Sequence, residues 1–316
     1  MRNHFLSSLL PIAAATAFAN LAFPTAFAID LQTTVSVEKD SNDSDPTYGL
    51  GMEYYFQPIA FGSGIPREEL TFAQRVPTLT ADASWQRQTT SMHDTSDTPP
   101  YRVEADIDLR ATMNTFTAEY IYREPDFPHV LSIGGGLIDT KTKFNLEGTA
   151  YYNDTLFETF SDSGEEDVNG YAIQGGYDYY FSRLGTIGFA ASYVSLDGSS
   201  DDSDISNVSI RAKRLWDLKN RQWIGLTAQL DEVWVDGDDS WGWTAQANFY
   251  FNERTGVYVK GSGKGSGDTT TFTAGLSHYF NDVMFARVFG ATSDTDLDSG
   301  DDNSKTGWGI TVGARF

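Results

Sequence analysis

The sequence predicts an all-β chain, a transmembrane antiparallel up-and-down β-barrel of about fourteen strands. Three observations predict it: the chain ends in an unbroken period-two alternation, copies of that alternation recur back to the amino end, and the connections between copies fall into two chemical kinds by parity. In Ser304 to Phe316, Trp308, Ile310, Val312, Ala314 and Phe316 share one face, and Gly307, Gly309, Thr311, Gly313 and Arg315 share the other. Successive strand residues point to opposite sides, so one flank is apolar throughout while the other is small or polar. That partition suits a wall with acyl chains on one side and water on the other.

The elements follow in order. Ile29, Leu31, Thr33, Val35 and Val37 oppose Asp30, Gln32, Thr34, Ser36 and Glu38, and Tyr48, Leu50, Met52, Tyr54 and Phe56 oppose Gly49, Gly51, Glu53 and Tyr55. The expected strands are 29 to 39, 47 to 57, 77 to 88, 101 to 122, 129 to 143, 168 to 181, 186 to 197, 205 to 216, 222 to 235, 241 to 252, 256 to 263, 269 to 280, 283 to 293 and 304 to 316. An even number agrees with the rule for single-chain bacterial barrels. The stretch from 101 to 166 is ambiguous and leaves twelve or sixteen strands open. Tyr101 to Tyr122 is about twice the roughly 9 to 11 residues a membrane strand needs. Its alternation slips between Ala111 and Phe116, which predicts a bulge or a strand rising above the bilayer.

Odd-numbered connections are long or acidic, such as Asp40 to Asp45, Ser91 to Pro100, Asp162 to Asp167 and Asp294 to Asn303. Even-numbered ones are mostly short, so both termini are placed on the side of the short, periplasmic turns. Pro58 to Val76 breaks that rule and is expected to form a structured turn.

Residues 1 to 28 carry Arg2, an apolar stretch from Phe5 to Phe23 and the triplet Ala26-Phe27-Ala28, the pattern of a cleaved signal peptide. Cleavage before Ile29 leaves residues 29 to 316 as one barrel domain. No apolar run near 18 residues follows, so helical spanning is not supported. With no cysteine, the fold holds without disulfides. A net charge of −22, from 44 acidic against 22 basic residues, excludes nucleic acid as a partner, because a phosphate backbone demands clustered Lys and Arg.

Extending the face assignments places Asp30, Glu38, Glu53, Asp82, Glu104, Asp106, Asp108, Asp178 and Asp231 in the lumen, with Arg102, Arg110, Arg211, Lys213, Lys260, Arg287 and Arg315. Acidic residues lead slightly, so a mild preference for cations is expected. Asp294, Asp296 and Asp298 are weak candidates for a hard cation, but the spacing departs from a calcium loop, with Lys305 where a Glu is needed. No bound metal or cofactor is expected. The acidic loops read instead as a hydrated rim, bridged by divalent ions to lipopolysaccharide. Aromatic bunches at Tyr177 to Phe181, Phe249 to Phe251 and Tyr279 to Phe280 fit an interfacial girdle. Catalysis is poorly supplied: His278 neighbours Ser277, yet adjacent strand residues face opposite ways, and His93 and His129 show no base-and-nucleophile pattern. The chain is not expected to be an enzyme.

A last strand ending in Phe316, with Trp308, Ile310, Val312 and Ala314 at every second position before it, resembles the terminal signature of Gram-negative outer-membrane barrel proteins. In its whole plan the chain resembles bacterial porins, close in length to the smaller fourteen-stranded ones. The resemblance implies a passive pore for ions and small hydrophilic solutes, contact with outer-membrane lipid, folding by the barrel-assembly machinery, and a monomer or homotrimer. The constriction loop of trimeric porins is not identifiable, Asn145 to Asp167 being the nearest candidate. Two alternatives stand beside it. A substrate-selective, oligosaccharide-type channel needs Tyr55, Tyr180, Tyr250, Tyr258 and Tyr279 in line along one path, and a non-conducting structural or adhesive barrel needs a filled lumen.

Overall fold

The computed structural model describes residues 30–40, 45–61, 63–98, 101–152, 155–198, 202–235, 238–264, 269–296 and 302–315. The expected signal peptide and Phe316 lie outside them. The strands are β1 (Asp30–Asp40), β2 (Thr47–Tyr55), β3 (Thr78–Thr98), β4 (Tyr101–Glu124), β5 (Phe127–Tyr152), β6 (Thr155–Ser182) and β7 (Gly185–Asp197), followed by β8 (Asp202–Asp217), β9 (Trp223–Val235), β10 (Asp238–Tyr250), β11 (Thr255–Lys264), β12 (Thr269–Tyr279), β13 (Met284–Asp296) and β14 (Asp302–Arg315). Each pairs with its sequence neighbours, and β1 closes the ring against β14, so the wall is one antiparallel barrel of fourteen strands. Closure removes both sheet edges and gives the wall's N–H and C=O groups partners within the sheet, the condition for crossing a bilayer with strands.

The register follows the side-chain pattern. Val35 lies opposite both Val312 and Leu50, so the apolar residues of three adjacent strands share the outer face, while Thr34 lies opposite Gly313 and Gly51 on the inner one. Carried round the ring, this parity leaves large apolar side chains exposed on the outside, among them Ile133 at 68% and Leu230 at 61%. A continuous belt of that kind would be untenable in water and is what lipid requires. The inner face is small where aromatic rings need room. A Cβ at Gly309 or Gly313 would enter the ring of Phe289 or Phe285, which lie inward on β13 and cover the neighbouring strand.

The strands β3 to β6 run 21, 24, 26 and 28 residues, far beyond the roughly 9 to 11 that span a bilayer. They project past the other strands as a four-stranded sheet. Of the two readings of the slip between Ala111 and Phe116, the long rising strand holds and the bulge does not: pairing is continuous from Thr78 opposite Ile121 to Thr98 opposite Tyr101. What changes is chemistry. Along the outward flank of β3 and β4, Leu79, Trp85 and Phe116 give way to Arg87, Ser91, His93, Arg110, Asp108 and Asp106, while the inward flank turns apolar with Leu109 opposite Phe144 and Ile107 opposite Leu146. The backbone keeps its phase, and the polar flank changes sides where the outer surface leaves lipid for water. Asn145 to Asp167, the candidate constriction loop, is paired sheet on β5 and β6, apart from residues 153 and 154, which are outside the description.

Pro58 to Val76 is the second departure. After β2 the chain enters the lumen, forms a 3-10 turn at Arg67–Glu69 and a short helix α1 (Leu70–Gln74), and leaves through Arg75 in the left-handed region at φ 55°. Its apolar residues build both buried clusters found among the described residues. Ile59, Ile65, Leu70, Ala73 and Val76 pack with Tyr55, Leu215, Trp223 and Tyr250 of the wall, and Phe72 packs with Val130 and Tyr180.

Replacing outward Leu230 by Arg, near the middle of β9, should cost about 2–4 kcal/mol of stability in lipid vesicles. The same change at inward Thr244, on the neighbouring strand, should cost far less. Urea unfolding of both variants checks the face assignment.

Candidate functional site: a plug seated in the lumen

The aromatic runs beside the short turns explain how the plug is held. Because adjacent residues face opposite ways, Tyr179 and Phe181 join the outer girdle while Tyr180 points inward, and Phe249 and Phe251 flank inward Tyr250 in the same manner. The inward rings bind the plug. Tyr180 Oη donates to the Phe72 carbonyl at 2.9 Å, Tyr250 Oη donates to Glu69 Oε1 at 2.8 Å, and Trp223 Nε1 donates to the Gly64 carbonyl at 2.8 Å.

Charge pairs complete the seat. Lys213 Nζ of β8 lies 2.6 Å from Glu69 Oε2 and 4.6 Å from the centre of the Phe72 ring. Arg287 of β13 donates to Glu68 Oε1 at 3.0 Å, and Arg67 is ion-paired to Asp282 in the β12–β13 turn. Arg123 of β4 donates to the Val76 carbonyl at 3.1 Å, Arg75 donates to the Pro125 carbonyl at 3.0 Å, and Arg315 of β14 stacks on Phe61 at 4.9 Å. In the ring order β6 to β8 lie half a circumference from β13, β14 and β1, so contacts on both sides mean that the segment crosses the lumen.

The carboxylate of Glu69 sets the strength of the seat. The residue is 3% exposed, and a buried carboxylate is tolerable only while paired. Lys213 pairs with its charge and Tyr250 donates to Oε1, while Oε2 accepts no hydrogen bond. Elsewhere in the lumen Arg211 grips Asp178 with both Nε and Nη2, at 2.9 and 2.7 Å, and Gln229 donates to Asp231 at 2.7 Å.

The register assigns each residue expected in the lumen. Glu38, Glu53, Asp82, Asp178, Asp231, Arg211, Lys213, Lys260, Arg287 and Arg315 stand on the inward face. Asp30 lies in β1 opposite Tyr55. Glu104, Asp106, Arg102 and Arg110, with Asp108, stand on the outward face of the projecting sheet instead, where His93 Nδ1 meets Asp106 at 2.7 Å and Ser91 donates to Asp108 at 2.5 Å. Their placement inside assumed that polar always means inward, which fails above the lipid. Sequence reasoning passed over Glu119, Arg123, Lys264 and Lys305, all inward, and the plug's own Arg67, Glu68, Glu69 and Arg75. One signal was available: Arg67 to Arg75 lacks period-two alternation and carries residues that suit a helical turn.

Tyr55, Tyr180, Tyr250, Tyr258 and Tyr279 all face inward. Four of them sit at the turn ends of their strands, as a ring at the plug's level, and Tyr180 and Tyr250 are engaged by the plug, so they do not form an axial track. Asp294 and Asp296 end β13, and Asp298 lies outside the described residues. Ser277 faces inward and His278 outward, where its Nδ1 meets Thr255 Oγ1 at 2.9 Å.

A closed antiparallel wall, apolar outside and polar inside, with a segment seated in its lumen, is the architecture of a membrane-spanning β-barrel. The family model described as "Putative general bacterial porin" matches residues 189–311. No curated protein matches by sequence. Among solved structures, the outer membrane protein Omp33 of Acinetobacter baumannii is similar, at 12% identity and TM-score 0.52 over 91% of this chain and 99% of that one. The CymD monoaromatic hydrocarbon channel aligns with TM-score 0.53 at 10% identity, over 91% of this chain and 88% of its own. The toluene transporter TodX of P. putida aligns with TM-score 0.50 at 9% identity over the same shares. At these identities the likeness is one of fold.

Substituting Lys213 by Met leaves Glu69 without its cation and should weaken the seat by about 3–5 kcal/mol. Trypsin should then cut the folded barrel at Arg67 or Arg75, where the unaltered protein resists. Equal resistance of both would show that the pair does not hold the plug.

Proposed function

We propose that this barrel is an outer-membrane channel for ions and small hydrophilic solutes, held shut at its periplasmic end by the Pro58 to Val76 plug. The plug's seating carries the reading. A barrel meant only as a scaffold fills its lumen along its length with interlocking side chains, whereas here the buried apolar clusters among the described residues lie at the level of the plug, and the inward face of β9 to β12 above it is lined mainly by Thr, Ser, Gln and charged residues. The plug is tied to the wall by hydrogen bonds and ion pairs as well as by its apolar packing, and these polar ties can be severed one at a time. Solute flux would follow lumen width and charge once the plug yields.

The proposal includes export by the signal peptide 1–28, folding by the barrel-assembly machinery, and lipopolysaccharide around the acidic outer rim. Its ion selectivity is a mild preference for cations that rests on that rim. Inside, Arg123, Lys264, Lys305 and the plug's arginines offset the inward acids, and Glu104, Asp106 and Asp108 stand outside.

One observation favours the non-conducting alternative, since the plug crosses the lumen completely enough to touch both sides. Planar-bilayer recording separates the two. The unaltered protein should open rarely and briefly, and a variant in which residues 60 to 75 are replaced by a short Gly-Ser linker should conduct steadily and several-fold more. Silence from both would establish a scaffold. A reversal potential in a salt gradient should indicate a weak cation preference, and anion preference would refute that part.

A further inference from the structure

Above Trp85 and Asn169, where the ladders to β2 and β7 end, the sheet of β3 to β6 stands alone. Residues 86–98, 101–113, 140–152 and 155–168 pair only with one another among the described residues. Its flanks differ sharply. On β4 and β5 the outer flank carries Arg102, Glu104, Asp106, Asp108, Arg110 and Lys143, and the inner flank carries no charge. Val103, Ile107, Leu109, Phe144 and Leu146 fill the middle of that inner flank, and Phe160 joins them from β6. Phe144 and Phe160 lie flat, since a Cβ at Gly164 or Gly148, the residues directly opposite them, would enter their rings. The face they pave is open: Leu109 is 37% and Phe144 39% exposed, and neither belongs to a buried cluster.

Lipid accounts for exposed apolar residues lower on the wall, but this face stands in water, where a contiguous apolar patch marks an interaction site. The chain's own loops are too short to cover it, because each internal stretch outside the described residues is five residues long or less. A sheet about 13 residues tall and four strands wide measures roughly 40 by 19 Å. That area is close to the roughly 800 Å² which each partner of a stable protein complex buries. A small solute would leave most of it wet. A level, uncharged face of this size is what stacked sheets present to one another, and the same face of a second copy matches it in size, flatness and lack of charge.

We infer that the inner flank of the projecting sheet docks on the same flank of a second copy carried by a facing membrane. The direction follows from parity. The inner flank continues the lumen wall upward and looks across the mouth of its own barrel. Two barrels side by side in one bilayer therefore keep these flanks apart, whereas an inverted copy can lower its sheet over that mouth. The contact is isologous, so Ile107, Leu109, Phe144 and Leu146, at the middle of the face, meet their own counterparts. β6 then lies over β6, and Glu158, Asp162 and Glu166 of both copies share one acidic rim. The inference rests on the sheet standing outside the cell and not on whether the barrel conducts.

Vesicles reconstituted with the full barrel test this by light scattering. They should clump with one another and leave protein-free vesicles behind. Leu109→Asp or Leu146→Asp, each placing an unpaired charge in the middle of the contact, should cut clumping about tenfold or more. Asn145→Asp, outward on β5, should not. Added salt should strengthen clumping, because it screens the shared acidic rim and spares an apolar contact. The chain has no cysteine, so Ile107→Cys in clumped vesicles should couple two copies through a bismaleimide of about 10 Å reach, the spacing of stacked sheets. Its outward neighbour, Asp106→Cys, should stay single. That milder change keeps the test decisive if a charge at 109 or 146 disturbs the sheet. Absence of clumping, clumping with protein-free vesicles, clumping abolished by salt, or equal coupling at 106 and 107 overturns the inference. The channel is judged separately, by conductance of the plug-shortened barrel.

Discussion

The rest of the structure depends on closure of the hydrogen-bonded ring in one register. With β1 paired to β14 no strand can slip alone, because a one-residue shift would send every one of its side chains to the opposite face and break both ladders. Parity is therefore a property of the whole barrel. It lets aromatic runs beside the short turns serve two purposes at once, alternate rings facing lipid and lumen. The same parity delivers Lys213, Trp223, Tyr250 and Arg287, from four different strands, to one level inside the ring.

That level is where the molecule has its dry core. A barrel wall buries little against itself, since one flank meets acyl chains and the other meets water. Here the plug supplies the missing layer, with Leu70 1% and Val76 2% exposed. Its charged seat differs in kind from its apolar one. Glu69 is held by Lys213 and Tyr250 and becomes costly the moment either is lost, which makes the closed state firm but severable.

Much of this was legible in the chain. Fourteen strands and the faces of β1, β2 and β7 to β14 follow from period-two alternation, because there the environment is constant along each strand. β3 to β6 were harder for a physical reason. Alternation reports which flank meets water, and beyond the lipid the outer flank does, so Asp106 and Arg110 read as inward residues when they stand outside. Pairing through Ala111 and Phe116 is uninterrupted, and no local rule separates a change of surroundings from a bulge. The plug announced itself only as a loss of alternation between Pro58 and Val76. Its partners were out of reach, since Tyr180 meets Phe72 across 108 residues, Trp223 meets Gly64 across 159 and Arg287 meets Glu68 across 219.

The central claim is that outward flanks meet acyl chains up to a fixed height and water beyond it. The chain has no cysteine, so single-cysteine fluorescent labels report one position each. Labels at Trp85 and His93, both on the outward flank of β3, should divide: the first quenched by brominated acyl chains, the second by aqueous iodide. A label at inward Thr244 should answer to iodide alone. Acyl quenching at His93, or at Thr244, would contradict the account.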